Sequence, residues 1–217
     1  WTAVEHQLKY YREHLGDGPM HFALTGANNF RRELWPDYQG GRSRKPLCYG
    51  YVREKMIGDL DARFVDTLEA DDLLGIWATG GKIKDATIVS LDKDLKTIPG
   101  RVWRPPANST QEPELFTVGE AQADYYWLMQ TLTGDTTDGY KGLPGCGPKV
   151  AEKLLQPAWD TSDGATFLQL GWPAVVAAYE AKGLGVDDAL LQARLARILR
   201  ASDWDSANKK VILWEPK

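Results

Sequence analysis

Residues 134–155, GDTTDGYKGLPGCGPKVAEKLL, leave the backbone few choices. Within them Gly142-Leu143-Pro144-Gly145-Cys146-Gly147-Pro148-Lys149 has to turn sharply. Gly145 and Gly147 admit left-handed backbone and close approach, and Pro148 suits the first position of a new helix. A hairpin that opens onto a helix presents bare N–H groups. With Lys149 and Lys153 beside them, these form a site for a nucleic-acid phosphate that carries no sequence information. An ordinary proline-glycine turn between two helices explains the glycines equally well, but not the carboxylates just ahead of them. Asp135 and Asp138 are three residues apart, so in a helical segment they share a face and hold a cation between them.

Two more acidic clusters precede this stretch. Glu69, Asp71 and Asp72 open an apolar helical pattern at 67–78, and Asp92 and Asp94 follow the β-branched run 86–91. Complementing a helix dipole accounts for one or two of the first three. The second pair sits at the C-terminal end of a strand, where open α/β sheets gather their ligands. If the seven side chains converge, each pair of like charges repels by about 4 kcal/mol at an intermediate effective dielectric. Such a cluster demands cations or raised pKa values. Oxygen ligands without His or Cys favour Mg²⁺ or Mn²⁺, and two such ions clamp the attacking and leaving oxygens of a phosphodiester.

The remaining chain supplies an α/β frame. Val4, Leu8, Tyr11 and Leu15 predict a helix over 1–15, and MHFAL at 20–24 a buried parallel strand. Further expectations are a helix at 46–59, short strands at 62–65 and 86–91, and an edge strand at Val102-Trp103. Thr117-x-x-Glu120 matches a capping box opening a helix to about 132, followed by helices at 167–182 and 187–200 and a strand or extended tail at 209–214. His21 is a packing residue, since no second His or Cys stands at ligand spacing. Between 29 and 45, Arg31, Arg32, Arg42, Arg44 and Lys45 interleave with Phe30, Trp35 and Tyr38. That mixture suits backbone contact plus base stacking on single strands or frayed ends, or else a solvated loop.

A net charge of −4 fits a nucleic-acid partner only if the acidic residues are gathered into a metal site and the basic ones lie elsewhere. Cys48 and Cys146 form no C-x-x-C pair, which suits reduced thiols in a cytoplasmic setting. No apolar run approaches the roughly 20 residues a bilayer requires. The chain begins at Trp1, already in helical pattern, so a separate N-terminal piece is expected.

Three ordered motifs carry a specific likeness: Leu68-Glu69-Ala70-Asp71-Asp72, Val89-Ser90-Leu91-Asp92-Lys93-Asp94-Leu95, and Gly134-Asp135 through Pro148-Lys149. Together they resemble the 5′ nuclease and flap endonuclease superfamily. Phe30-Arg31-Arg32-Glu33-Leu34, Tyr38, Arg42, the run 196–200 and Leu213-Trp214 extend the likeness toward phage 5′ to 3′ exonucleases.

The resemblance implies a parallel-sheet nuclease core over 1–130, a helix-hairpin-helix (helix-three-turn-helix) DNA-binding region over 131–200, and a C-terminal tail or strand over 201–217. It implies inner metal ligands at Glu69, Asp71, Asp72 and Asp92, and a second metal held by Asp94, Asp135 and Asp138. Asp71 and Asp92 stand at the centre of the chemistry, with Arg42 on the scissile phosphate. DNA contacts fall to Arg31, Arg32, Tyr38, Gln39, Arg42, Lys45, Gly145, Gly147, Lys149 and Lys153, with K⁺ at the hairpin carbonyls. The implied substrate is DNA with a free 5′ end, nicked or flapped, or an RNA–DNA hybrid. The implied protein is a monomer in the cytoplasm, the host's if phage-encoded.

Three departures accompany the likeness. The family's first strand, which carries a metal-binding Asp, belongs before Trp1; Gly26 stands where many relatives have another such Asp; and Gln39 stands where many have a phosphate-contacting Lys. They keep a second reading open, a module that grips branched or nicked DNA without cutting it. A third, a regulatory α/β domain sensing Mg²⁺ or a nucleotide, leaves the hairpin unexplained.

Overall fold

The computed structural model describes residues 1–217 except Arg44, Ser109, Ala165 and Lys217. Its sheet forms where β-branched and aromatic residues cluster. Strand β1 (Thr87–Val89) lies parallel to β2 (Gly100–Arg104), with Ile88 opposite Val102. β2 then pairs antiparallel with β3 (Glu114–Val118), Val102 facing Phe116. Val102-Trp103 therefore lies inside the sheet, not at the expected edge. β3 escaped the sequence reading because most of its side chains face solvent, which leaves it no clean apolar alternation.

The expected buried strand at 20–24 is reduced to one parallel bridge, Ala23 to Arg63, and its residues are half-buried or exposed. The segment 62–65 contributes only the other half of that bridge.

Helices cover both faces of the sheet. α1 (Thr2–Leu15) buries no residue fully, but sets Tyr10, Tyr11 and His14 against Trp103 at ring separations of 6.1, 5.5 and 5.9 Å. α4 (Ala70–Thr79) packs Leu74 and Ala78 against the opposite side, where Ile88, Leu95, Ile98, Val102 and Val118 form a core. A four-residue helix, α2 (Arg31–Leu34), and α3 (Tyr49–Leu60) occupy the connection between 30 and 60. No helix among the described residues is long and apolar enough to cross a membrane.

The second core is helical. α5 (Glu120–Thr133), α6 (Pro148–Thr161), α7 (Phe167–Glu180) and α8 (Val186–Ala196) enclose Trp127, Leu132, Leu155, Phe167 and Tyr179. Two of its buried polar side chains bond to main-chain carbonyls across the core. Trp127 Nε1–H donates to the Ala193 carbonyl at 2.8 Å and the Tyr179 hydroxyl to the Thr131 carbonyl at 2.8 Å. α5 runs through residue 130, so the two regions share a helix instead of meeting at a linker.

Two expected helix ends differ. Thr117 is committed to β3 opposite Arg101, so the Thr117/Glu120 capping box does not form and Gly119 is the N-cap. α8 stops at Ala196, because Leu199 N–H donates to Asp72 Oδ1 (3.1 Å) and Arg197 pairs with Asp203 (2.8 Å), drawing 197–200 out straight. The chain ends in a small hairpin, β4 (Trp204–Asp205) with β5 (Lys210–Val211), where a single strand or tail was expected.

Candidate functional site

Glu69 is the N-cap of α4 and Asp71 stands in its first turn, while Asp92 caps the 3-10 turn Lys93–Thr97 by accepting Asp94 N–H at 2.8 Å. These residues, with Asp94 and Asp138, line one small pocket of about 40 Å³. Arg31, Tyr38, Arg42, Asp72, Gln130 and Tyr140 also line it, with Leu195, Ala196 and Ile198 from the end of α8 and beyond. Gln130 and Tyr140 were not anticipated. Neither carries a local signal, since a helix-borne Gln and a loop Tyr become site residues only through the packing of α5.

The carboxylates strain against one another. Burial, then the charges of Asp92, Glu69 and Asp72, push the Asp71 carboxyl up to about 7. Burial and Asp92 push Asp94 up to about 6. This all-oxygen donor set, short of compensating cations, fits a hard divalent ion. Even so, no three His, Cys, Asp or Glu residues among those described already stand together as a ligand group.

Two of the seven expected ligands have other work. Asp72 is fully buried, and both its oxygens are taken by Arg31 (2.7 and 2.8 Å), Glu69 N–H (3.0 Å) and Leu199 N–H (3.1 Å). Asp135 does not line the pocket. Its Oδ1 accepts Thr137 N–H at 2.7 Å and Asp138 N–H at 3.2 Å, so 135–140 is a turn closed by an Asp135–Tyr140 bridge and not the helical face expected.

Two expected DNA contacts also turn inward. Arg31 is 2% exposed, and its guanidinium spends its five N–H donors on Asp72 twice and once each on Glu69 and the Leu195 and Arg197 carbonyls. Tyr38 is equally buried, its hydroxyl 3.1 Å from Glu69 Oε2 and 3.0 Å from Asp138 Oδ2, and its ring stacks on Tyr140. Both residues hold the site from behind.

Of the cations expected at the DNA, Arg32, Arg42, Lys45, Lys149 and Lys153 are exposed; Arg44 lies outside the described residues. Lys45 sits over the Tyr49 ring at 4.1 Å. Arg42 reaches over the pocket rim, its Nη2 donating to Asp138 Oδ1 at 2.6 Å. Gln39, at φ 57°, donates its amide to Glu69 Oε1 (2.7 Å) and Asp138 Oδ1 (3.2 Å) and so ties two carboxylates together. Gly26 brings no ligand and has room for none: a Cβ there would lie 2.2 Å from the Val65 carbonyl oxygen and 2.3 Å from that of Asp66.

In the hairpin Gly145 has φ +75°, the left-handed value its type permits, whereas Gly147 has φ −82° and open space around it. Of the two glycines expected to be left-handed, only Gly145 is. Gly134 and Gly142 supply the close approach instead, since a Cβ on Gly142 would come within 2.3 Å of Gly134 N. Pro148 opens α6 as expected, with Lys149 and Lys153 exposed beside its first turn.

No family model matches the chain. Among curated proteins it is 28% identical over 247 aligned residues to the exonuclease of Escherichia phage T7, spanning 98% of this chain and 80% of that protein. It is 31% identical over 204 residues to flap endonuclease Xni of Aeromonas hydrophila, spanning 85% of this chain and 70% of the relative. Among solved structures it resembles a mutant of the phage T5 5′-exonuclease, with a TM-score of 0.56 at 14% identity, covering 90% of this chain and 92% of that one. The phage T5 flap endonuclease solved with DNA and metal ions matches with a TM-score of 0.53 over 90% of each chain.

Proposed function

Because this chain belongs to the 5′ nuclease and flap endonuclease family, we propose that it is a metal-dependent phosphodiester hydrolase that degrades DNA from a free 5′ end, at nicks, flaps or duplex termini. The observation that carries the reading is the convergence of Glu69, Asp71, Asp92, Asp94 and Asp138 on one pocket with Arg42 at its rim. RNA in hybrids is a further substrate of the same site, and the protein acts as a monomer in the cytoplasm of the cell that contains the DNA.

Asp71, Asp92 and Glu69 would hold one Mg²⁺ or Mn²⁺, and Asp94 and Asp138 a second, partly through waters. Bound there, such ions lower the pKa of water and stabilise charge on the transferring phosphate. The chain's own residues do the rest. Arg31 and Tyr38 fix Glu69 and Asp138, Gln39 links the same two, and Arg42 offers an exposed guanidinium to the scissile phosphate in exchange for Asp138.

Arg42→Ala is expected to slow cleavage of 5′-labelled duplex by about 10²-fold, as loss of one transition-state donor does, while Mn²⁺ binding stays intact. Loss of Mn²⁺ binding in that variant would assign Arg42 to folding of the pocket instead.

The hairpin is proposed to grip duplex phosphates through the N–H groups of Gly145, Gly147 and Lys149, since Pro148 has none and that of Cys146 donates to the Leu143 carbonyl, with K⁺ at the hairpin carbonyls. Gly145→Val forces a β-branched residue to φ +75° and should weaken duplex affinity about tenfold or more without altering Mn²⁺ affinity. Gly147→Val is the matched control, because the backbone there is ordinary and the space open. Equal duplex affinities of the two folded variants would remove the hairpin from the DNA interface.

A further inference from the structure

The last turn of α8 is fastened to the carboxylate pocket. A helix leaves its last four carbonyls without intrahelical donors, and α8 ends at Ala196. Tertiary partners take two of these carbonyls. That of Ala193 accepts Trp127 Nε1–H from α5 at 2.8 Å, and that of Leu195 accepts Arg31 Nε–H at 3.1 Å. The Arg197 carbonyl, just past the helix, also takes the Arg31 guanidinium. Arg31 in turn donates to Glu69 Oε2 at 3.1 Å, and Leu195 and Ala196 themselves line the pocket.

The same turn reaches the hairpin. Gly142 N–H donates to Gln192 Oε1 at 2.8 Å, a bond that spans 50 positions of sequence. Gly142 is buried with φ +63°, and a Cβ there would come within 2.3 Å of Gly134 N, so this residue is pressed against the end of α5. A buried N–H so placed needs a partner, and the side chain of Gln192 is that partner. Leu143 N–H, next along, donates to the Leu132 carbonyl at 2.8 Å. The start of the hairpin is thus tied to α8 on one side and to α5 on the other, ahead of the N–H groups of Gly145, Gly147 and Lys149.

Gln192 and Leu195 are separated by about 4.5 Å of helix rise, so the ties to the hairpin and to Arg31 ride on one stiff turn. A single strand of B-DNA advances about 3.4 Å per nucleotide. A hairpin displaced from the pocket by that much would present the neighbouring phosphate for cleavage.

We propose that Gln192 is a positioning residue that sets where the strand is cut. By holding Gly142 to the turn of α8 that also carries Arg31, it fixes the distance from the duplex grip to the metal pocket, and with it the number of nucleotides between the duplex edge and the cut. It touches neither DNA nor metal. The inference rests on the proposed nuclease activity and on the hairpin as the duplex grip, and adds to them what determines the cut position.

The test compares Gln192→Leu, which removes the acceptor, with Gln192→Glu, which keeps an oxygen for Gly142 N–H. Both are set beside the parent in single-turnover cleavage of a 5′-labelled flapped duplex. Gln192→Leu should raise the share of product cut at neighbouring nucleotides at least about threefold, leave Mn²⁺ affinity unchanged, and speed amide exchange at Gly142 at least about tenfold. Gln192→Glu should keep the parental product pattern. The pattern is a ratio of products within one reaction, so a smaller folded fraction lowers the yield without altering it. An unchanged pattern in Gln192→Leu overturns the proposal, whether or not Gly142 exchanges faster. So does a pattern altered equally in Gln192→Glu, since the acceptor oxygen is then not the cause, and so does loss of Mn²⁺ binding, which would assign Gln192 to folding of the pocket. Failure of the nuclease reading looks different: the parent itself leaves the duplex uncut, and the proposal falls with it even if exchange at Gly142 responds.

Discussion

Asp92→Asn is expected to reduce cleavage of 5′-labelled duplex DNA in Mg²⁺ by about 10² to 10⁴, the loss of several kcal/mol that follows when a carboxylate no longer holds a catalytic ion. Asp92 is the sharpest test because it is exposed and its hydrogen bonds among the described residues are local: its Oδ1 caps Asp94 and its own N–H donates to Ser90 Oγ. An Asn keeps a carbonyl oxygen to cap the 3-10 turn, so the fold should survive while the charge is lost. It also removes the neighbour charge that raises both Asp71 and Asp94, so their carboxyls should titrate lower in the variant. The measurement is cleavage rate together with Mn²⁺ affinity. A folded variant that cuts as fast as the parent would assign the activity to contamination and leave the chain a DNA-structure-binding module.

Arg31→Met should destabilise the protein by about 3–5 kcal/mol, the range found when one partner of a buried ion pair is removed. The cause is local and specific. Asp72 is left fully buried with a charge and two backbone donors, and the carbonyls of Leu195 and Arg197 lose their partner. For a chain of this length that corresponds to a melting temperature lower by on the order of 10 °C. Asp72→Leu added to Arg31→Met should recover part of it, since the uncompensated charge goes with the carboxylate. Were Arg31 a DNA contact, the single variant would instead melt normally and bind duplex less tightly. Arg32, exposed one position along, is the comparison in which that second outcome is expected.

Much of the chemistry was legible in residue type and order. Acidic clusters at a helix start and a strand end converge because α/β topology brings those ends to one edge, and a Gly-Pro step at 147–148 opens a helix wherever it is embedded. Periodicity likewise located the long helices near their observed limits, since a 3.6-residue apolar repeat depends on the segment alone.

Tertiary structure decided what each charge is for. Arg31 and Arg32 are adjacent and identical in type, yet one is a buried bracket between α4 and the end of α8 and the other is exposed. Asp71 and Asp72 divide in the same way: both border the pocket, but the 100° step of a helix sets the Asp72 carboxylate against Arg31 and Leu199 N–H, which use both its oxygens. Left-handed backbone at Gly145 but not Gly147, and the reduction of 20–24 from strand to a single bridge, are equally non-local. The first depends on how the hairpin meets α6. The second depends on whether a neighbouring strand is there to pair, because a strand's hydrogen bonds belong to its partner as much as to itself.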